Sequence, residues 1–247
     1  MHQGRYNIAG HCIEINSIYN EIHRMCETYW ADERVEFSVS IQPEDIQLER
    51  ERSNTEDMKE GNLVRHYSDE YLETLAVYRK ISEVLIDQDI LLFHGSAIAV
   101  DDQGYLFTAK SGTGKSTHTR RWREVFGERA VMINDDKPLL HITRDGVKVY
   151  GTPWDGKHHL SSNANVPLQG ICIVERDTSN RIEQINKKQA YAMLLQQSYR
   201  PANSVKMAKT LELLDLLATK IKLYKLSCNM ELEAAHVAYA GMKQYPS

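Results

Sequence analysis

The stretch "FTAKSGTGKSTHT", residues 107–119, reads as the end of an apolar strand, a loop with two glycines and the opening of a helix. Ala109-Lys110-Ser111-Gly112-Thr113-Gly114-Lys115-Ser116 fits the [A/G]-x-x-x-x-G-K-[S/T] form of the phosphate-binding loop, in the strand-to-helix context that motif requires. Ala in place of Gly at the first position changes little, because that residue has only to be small. Gly112 and Gly114 let backbone N–H groups turn inward around a triphosphate, and the helix N-terminus adds its positive end. Lys115 reaches the β and γ phosphates, and Ser116 ligates Mg2+. The nucleotide-binding run is therefore Ser111, Gly112, Thr113, Gly114, Lys115, Ser116 and Thr117, with ATP and Mg2+ as the expected ligands. His118, Arg120 and Arg121 in "STHTRRW" read as a solvated first turn, the alternative being that some of them face the phosphates or a neighbouring subunit.

Outward from the loop, "AVMINDDKPLL" is an apolar run ending in Asn134 and the pair Asp135-Asp136. It reads as a strand beside the loop that delivers carboxylates. One carboxylate suffices to hold Mg2+, and the second is then available to accept the proton of an attacking hydroxyl. Upstream, "LLFHGSAIAV" reads as a buried strand with His94 inside it, followed by "DDQG", which is hairpin-turn chemistry, and by the strand "GYLFTA". A lone His in an apolar strand is usually a hydrogen-bonded core residue. Downstream, "VYGTPWDGKHH" has irregular backbone at Gly151, Pro153 and Gly156, and displays Trp154, Asp155 and Lys157; a lysine there meets γ-phosphate charge.

The rest of the chain is mixed. Residues 1 to about 65 hold two period-2 stretches, "YNIAGHCIEI" and "VEFSVSI", and the polar "EDIQLERERSNTEDMKEG", expected as a solvated loop. Ser68 caps a helix expected over 69–87. Strands are expected at "AVMIN", "LLHIT", "VKVYG", "QGICIVE" and "RIEQI", and helices at "KKQAYAMLLQQSY", "SVKMAKTLELLDLLATKI" and "MELEAAHVAYAGMKQ". The division expected is a small β-rich N-terminal region with its linking helix, 1–88, and a catalytic domain, 89–247. The fold class is α/β with α+β character, a mixed sheet with several hairpins and flanking helices.

Composition narrows the partners. With 42% hydrophobic residues, 26% charged residues and a net charge of -4, the chain is no phosphate-neutralising nucleic-acid binder. No apolar run approaches the ~18 residues of a membrane span, and the N-terminus has no signal-peptide blocks, so no membrane partner and a cytoplasmic place are expected. The four cysteines are scattered without a C-x-x-C pair and read as structural thiols of a reducing compartment. His158 and His159, being adjacent, would point to opposite sides of an extended chain, which argues against a metal pair.

Taken in order, "HGSAIAV", "AKSGTGKST", "INDDK" and "GTPWDGK…VPL" resemble the catalytic domain of HPr kinase/phosphorylase, whose fold is shared with phosphoenolpyruvate carboxykinases. The resemblance covers roughly residues 90 to 230 and implies a P-loop core of that type. It implies His94 and Asp135 together at the acceptor hydroxyl, with Asp135 as base, Asp136 and Ser116 at Mg2+, and Lys115 on the phosphates. The arginine-glycine signature of HPr kinase has no match here, and Lys157 or Arg200 stands in for its charge. The first 90 residues do not resemble the HPr kinase regulatory domain. The "GTPW-x-GK" form is similar to small HPr-kinase-like kinases of peptide-modification gene clusters, including kinases of lasso-peptide precursors, which phosphorylate serine-type hydroxyls.

The expected function is thus an ATP- and Mg2+-dependent kinase acting on a hydroxyl of a protein, peptide or small molecule. The alternative is a nucleotide-binding switch, sensor or simple hydrolase without an acceptor. A guanine-nucleotide switch would carry D-x-x-G after the loop and N-K-x-D further on, and neither is present: "DDQG" precedes the loop and "NKKQ" lacks the aspartate. A motor would have a Glu where "INDDK" has none. A carboxykinase-like lyase needs a longer chain. HPr kinase relatives assemble into rings, so a homo-oligomer follows from the resemblance alone. The N-terminal region, which has no motif of its own, is expected to choose the acceptor.

Overall fold

The computed structural model describes residues 1–59, 61, 63–110, 112–156 and 158–243. Ser111 and Lys157, both expected at the site, lie outside the described residues. The chain divides into two compact units, Met1–Val84 and Leu85–Ser247.

In the first unit, β1 (His2–Ile8) and β2 (His11–Ser17) form an antiparallel hairpin. Its two-residue turn, Ala9-Gly10, has φ of 55° and 86°, the left-handed pair whose twist matches the flanking strands. Strand β3 (Phe37–Ser40) adds to β2 in parallel, after the short α1 (Glu21–Met25). Buried Glu73, on α3 (Asp69–Leu85), accepts the N–H groups of Ile18 and Tyr19 at 2.6 and 2.9 Å. The Ser17 hydroxyl donates to Tyr19 O, so it accepts from His23 Nε2, 2.8 Å away, and Nδ1 is left to accept the Tyr6 hydroxyl at 2.7 Å.

The polar stretch expected as a loop is instead helix α2 (Pro43–Lys59). Pro43 is preset for a first helical turn, and Glu44 and Asp45 meet the positive end of the helix. No apolar period marks it because ion pairs anchor it: Glu49 to Arg79, and Asp45 to Lys80 at 2.5 Å. Helix α3 ends two residues before the expected 87, and residues Ile86–Gln88 tighten into a 3-10 turn.

Among the described residues of the second unit, nine strands make one mixed sheet in the order β4-β8-β9-β10-β6-β5-β7, with β12 on β10 and β11 on β12. They are β4 (Ile90–Leu92), β5 (Ser96–Val100), β6 (Gln103–Thr108), β7 (Ala130–Asn134), β8 (Leu139–Ile142), β9 (Val147–Tyr150), β10 (Asn165–Arg176), β11 (Arg181–Ile185) and β12 (Lys222–Cys228). Four helices belong here: α4 (Lys115–Phe126), α5 (Lys187–Gln197), α6 (Ser204–Lys220) and α7 (Glu233–Met242). Both faces are apolar, as the period of two requires for central strands covered on each side. Ala97, Ala99, Leu106, Ile171 and Ile173 pack with Ala190 and Leu194 of α5 and Leu213, Leu214 and Leu217 of α6. Their neighbours Ile98, Val100, Tyr105, Phe107, Cys172 and Val174 pack with Trp122 of α4 and Ala234, Ala235 and Ala238 of α7. The α/β class therefore holds, with a mixed sheet, hairpins and flanking helices.

Two expectations about strands change. "LLFHGSAIAV" is not one strand: β4 pairs with β8, β5 pairs with β6 and β7, and residues 93–95 break between them. The N–H groups of Phe93, His94 and Gly95 go to Pro138 O, Gln197 O and Asp136 O instead of to a ladder. A Cβ at Gly95 would stand 2.9 Å from Phe107 O, so the crossing strand leaves room for glycine alone. Strand β12, "KLYKLSC", was not expected, although it lies parallel to β10 in the sheet. The turn between β5 and β6 is the expected hairpin, with Asp101 and Asp102 at φ of 53° and 59°. All four cysteines are free and buried. No helix among the described residues is long and apolar enough to cross a membrane.

Candidate functional site

Strand β6 ends at Thr108, and the chain turns through Gly112 and Gly114, at φ of +72° and +118°, into α4. Side-chain-bearing residues rarely adopt these values, so the two glycines are what allow the loop this path. The Lys115 ammonium folds back to Ala109 O at 3.3 Å. Burial pulls its pKa down, and the charges of Asp136 and Asp135 push it back up in part.

Strand β7 delivers the two aspartates to this helix end. Asp135, 7% exposed, accepts the Ser96 hydroxyl at 2.6 Å, and Ser96 is 2.9 Å from the Thr119 hydroxyl of α4. Burial raises the pKa of Asp135, outweighing the hydrogen bonds from Ser96 and Ser116 and the charge of His158. Asp136 lies on the other side. Burial pushes its pKa up as well, but the hydrogen bond from His94 and the charges of Lys137, His94 and Lys115 prevail and hold it below the usual carboxylate range.

His94 Nε2 is 3.3 Å from Asp136 Oδ1, with the imidazole 40% exposed. This departs from the expected grouping in two ways: His94 sits in the break between strands and not in the core, and its partner is Asp136 rather than Asp135. The exposed Arg200 follows Gln197 and Tyr199, whose backbone is bonded to His94 N and Leu92 O.

Asn134 positions the aspartate turn. Fully buried, its carbonyl accepts the N–H groups of Asp136 and Lys137 at 2.9 and 2.7 Å, and its amide reaches Thr152 O at 3.0 Å and Trp154 O at 3.3 Å. It thereby ties "INDDK" to "GTPWDG". Gly151 is required there, since a Cβ would lie 1.9 Å from Ser162 O. Trp154 and Asp155, expected as displayed groups, are 4% and 8% exposed, and Asp155 accepts the Ser161 hydroxyl at 2.9 Å.

His118 is not the solvated residue expected. It is buried against Phe107, and Trp122 Nε1–H donates to its Nε2 at 3.0 Å, which makes Nδ1 the protonated nitrogen. Burial drives its pKa down to about 4, so it is neutral at physiological pH.

Arg176, at the end of β10, went unnoticed in the sequence. Its Nε donates to Thr113 O at 2.9 Å and its Nη2 to Gly112 O at 2.5 Å. Arg176 thus fixes two carbonyls of the loop, whose Thr113 N–H donates to Lys110 O at 3.2 Å. Beside it opens a cavity of about 470 Å³, lined by Lys110, Gly112, Thr113, Val174, Arg176 and Met193. A smaller one, of about 190 Å³, lies between α4 and the aspartate turn. No group of three or more His, Cys, Asp or Glu side chains among the described residues is placed to hold a metal by itself.

No family model and no curated protein matches this sequence. Among solved structures, the Hpr(Ser) kinase/phosphatase from Coxiella burnetii is similar at 11% identity over 49% of this chain and 87% of that one, with a TM-score of 0.30. A likeness of this size carries no argument about the reaction, and the functional reading rests on the site.

Proposed function

We propose that the chain is an ATP- and Mg2+-dependent phosphotransferase of the HPr kinase type, which moves the γ-phosphoryl group to a hydroxyl. The observation that supports this reading is the convergence of Lys115, Ser116, Asp135 and Asp136 at one helix N-terminus, with the pKa of Asp135 raised and that of Asp136 lowered. The loop amides and Lys115 bind the phosphates. The cavity of about 470 Å³ beside the loop falls in the range of about 300–1,000 Å³ usual for small-molecule sites and takes the nucleotide.

Mg2+ is commonly held through one or two carboxylates plus phosphate oxygens and water; Asp136 and Ser116, the latter hydrogen-bonded to Asp135, would hold it and it would offset phosphate charge. Asp136 stays ionised beside His94 and Lys115. Asp135, which holds a proton more readily, accepts the acceptor's hydroxyl proton as that oxygen bonds to the γ-phosphorus. The bond from the γ-phosphorus to the bridging oxygen breaks, and ADP leaves.

The test is incubation with γ-labelled ATP and a cell extract, alongside Asp135→Asn and Lys115→Ala. A labelled acceptor lost in both variants supports the phosphotransferase. Release of phosphate alone, unchanged by extract and by Asp135→Asn, sinks it in favour of a sensor or hydrolase.

A further inference from the structure

The cavity of about 190 Å³ is lined by Asp135 and Ser116 together with Arg120, Arg123, His158 and Leu160. Its cations are unevenly committed. Arg120 is 55% exposed and only loosely paired, 3.7 Å from Glu124. Arg123 Nε is buried and has no hydrogen-bond partner among the described residues. A buried guanidinium N–H left open costs free energy unless something accepts from it. Arginines next to a carboxylate-bearing cavity, with a donor unused, suit an anion that enters from outside and accepts in their fixed fork geometry. The volume is below that of sites for drug-sized ligands, about 300–1,000 Å³, and so suits a small molecule or one residue of a polypeptide.

We propose that this cavity seats the acceptor, and that the acceptor is an acid: its hydroxyl faces Asp135, and a carboxylate or phosphate a few atoms away is held by Arg120 and Arg123. The proposal rests on the phosphotransferase reading and deepens it. The acid group anchors the molecule while the hydroxyl is aimed, so transfer becomes a matter of positioning. Neutral alcohols of the same size lack that anchor.

The full chain is incubated with γ-labelled ATP, Mg2+ and an extract separated into metabolites and macromolecules. Label in the first arm identifies a free hydroxy acid; label in the second identifies an acid-bearing segment of a polypeptide. In either arm the group around the labelled hydroxyl is expected to carry a free carboxylate or a second phosphate. Arg120→Gln and Arg123→Gln are each expected to raise the acceptor KM by about 10-fold, the equivalent of about 1.4 kcal/mol, with the KM for ATP within about 2-fold. Arg123→Lys restores part of the loss. Arg120 is exposed, so its variant tests charge without loss of packing. A labelled acceptor with no acid group, or an acceptor KM that Arg120→Gln leaves unchanged, overturns the proposal while the phosphotransferase stands. Turnover of ATP with no labelled acceptor in either arm overturns both.

Discussion

The imidazole of His94 lies 3.3 Å from the carboxylate of Asp136, while the adjoining Asp135 turns the other way, to the Ser96 hydroxyl at 2.6 Å. Two neighbouring residues of one type thus occupy opposite surroundings, and this divides their chemistry.

Their contributions to stability should have opposite pH signs. Asp136 has a lowered folded pKa, so the stability it adds is present above the ordinary carboxylate pKa and is lost as pH falls through the folded value. Asp135 has a raised one, so ionising it in the folded chain costs stability as pH climbs from the ordinary value through the raised one. Thermal melts should find Asp135→Asn more stable than the parent at neutral pH, with the gain fading in acid. Asp136→Asn should be less stable at neutral pH. Two variants that shift together would contradict the opposite assignments.

For catalysis, Asp135→Asn removes the proposed base but not the nucleotide site. Turnover should fall by about 10²–10⁴-fold, the range for general acid–base groups, while ATP binding measured by calorimetry persists. Lys115→Ala should abolish tight ATP binding itself.

Arg176→Ala releases the carbonyls of Gly112 and Thr113. The expected result is a KM for ATP about 10-fold higher, about 1.4 kcal/mol, at nearly constant kcat. Arg176→Lys should recover only part, as lysine has no fork with which to hold two carbonyls. A fall in kcat with unchanged KM would speak against this role.

Asn134→Ala leaves the N–H groups of Asp136 and Lys137 without their acceptor. A loss of about 1–3 kcal/mol in chemical denaturation is expected, the usual cost of unsatisfied buried polar groups.

Much of this site was legible in the linear chain because its parts are local. The two glycines, Lys115 and Ser116 sit in one run, and Asp135-Asp136 follow a continuous apolar run. What escaped was set by tertiary partners. Arg176 bonds to backbone carbonyls far off in sequence, and carbonyls leave no mark in residue identity. His94 looked like a core residue because apolar neighbours surround it, yet its N–H goes to Gln197 O and those of Phe93 and Gly95 to Pro138 O and Asp136 O, outside any ladder. Helix α2 escaped because its buried side of Glu49 and Asp57 is acidic, answered by Arg79 and Arg65. Strand β12 escaped because its lysines, Lys222 and Lys225, stand three apart and blur the period of two in a stretch between two helices.

The tripeptide Phe93-His94-Gly95 joins the aspartate turn to the end of α5 through consecutive amides, two to Pro138 and Asp136 and one to Gln197. Such a knot transmits force. If the Asp136 turn shifts as charge arrives next to it, the stretch from Gln197 to Arg200 is drawn along unless amide hydrogen bonds break, at about 1 kcal/mol each. The aspartate turn and the segment that carries the exposed Arg200 thus share one hydrogen-bonded anchor.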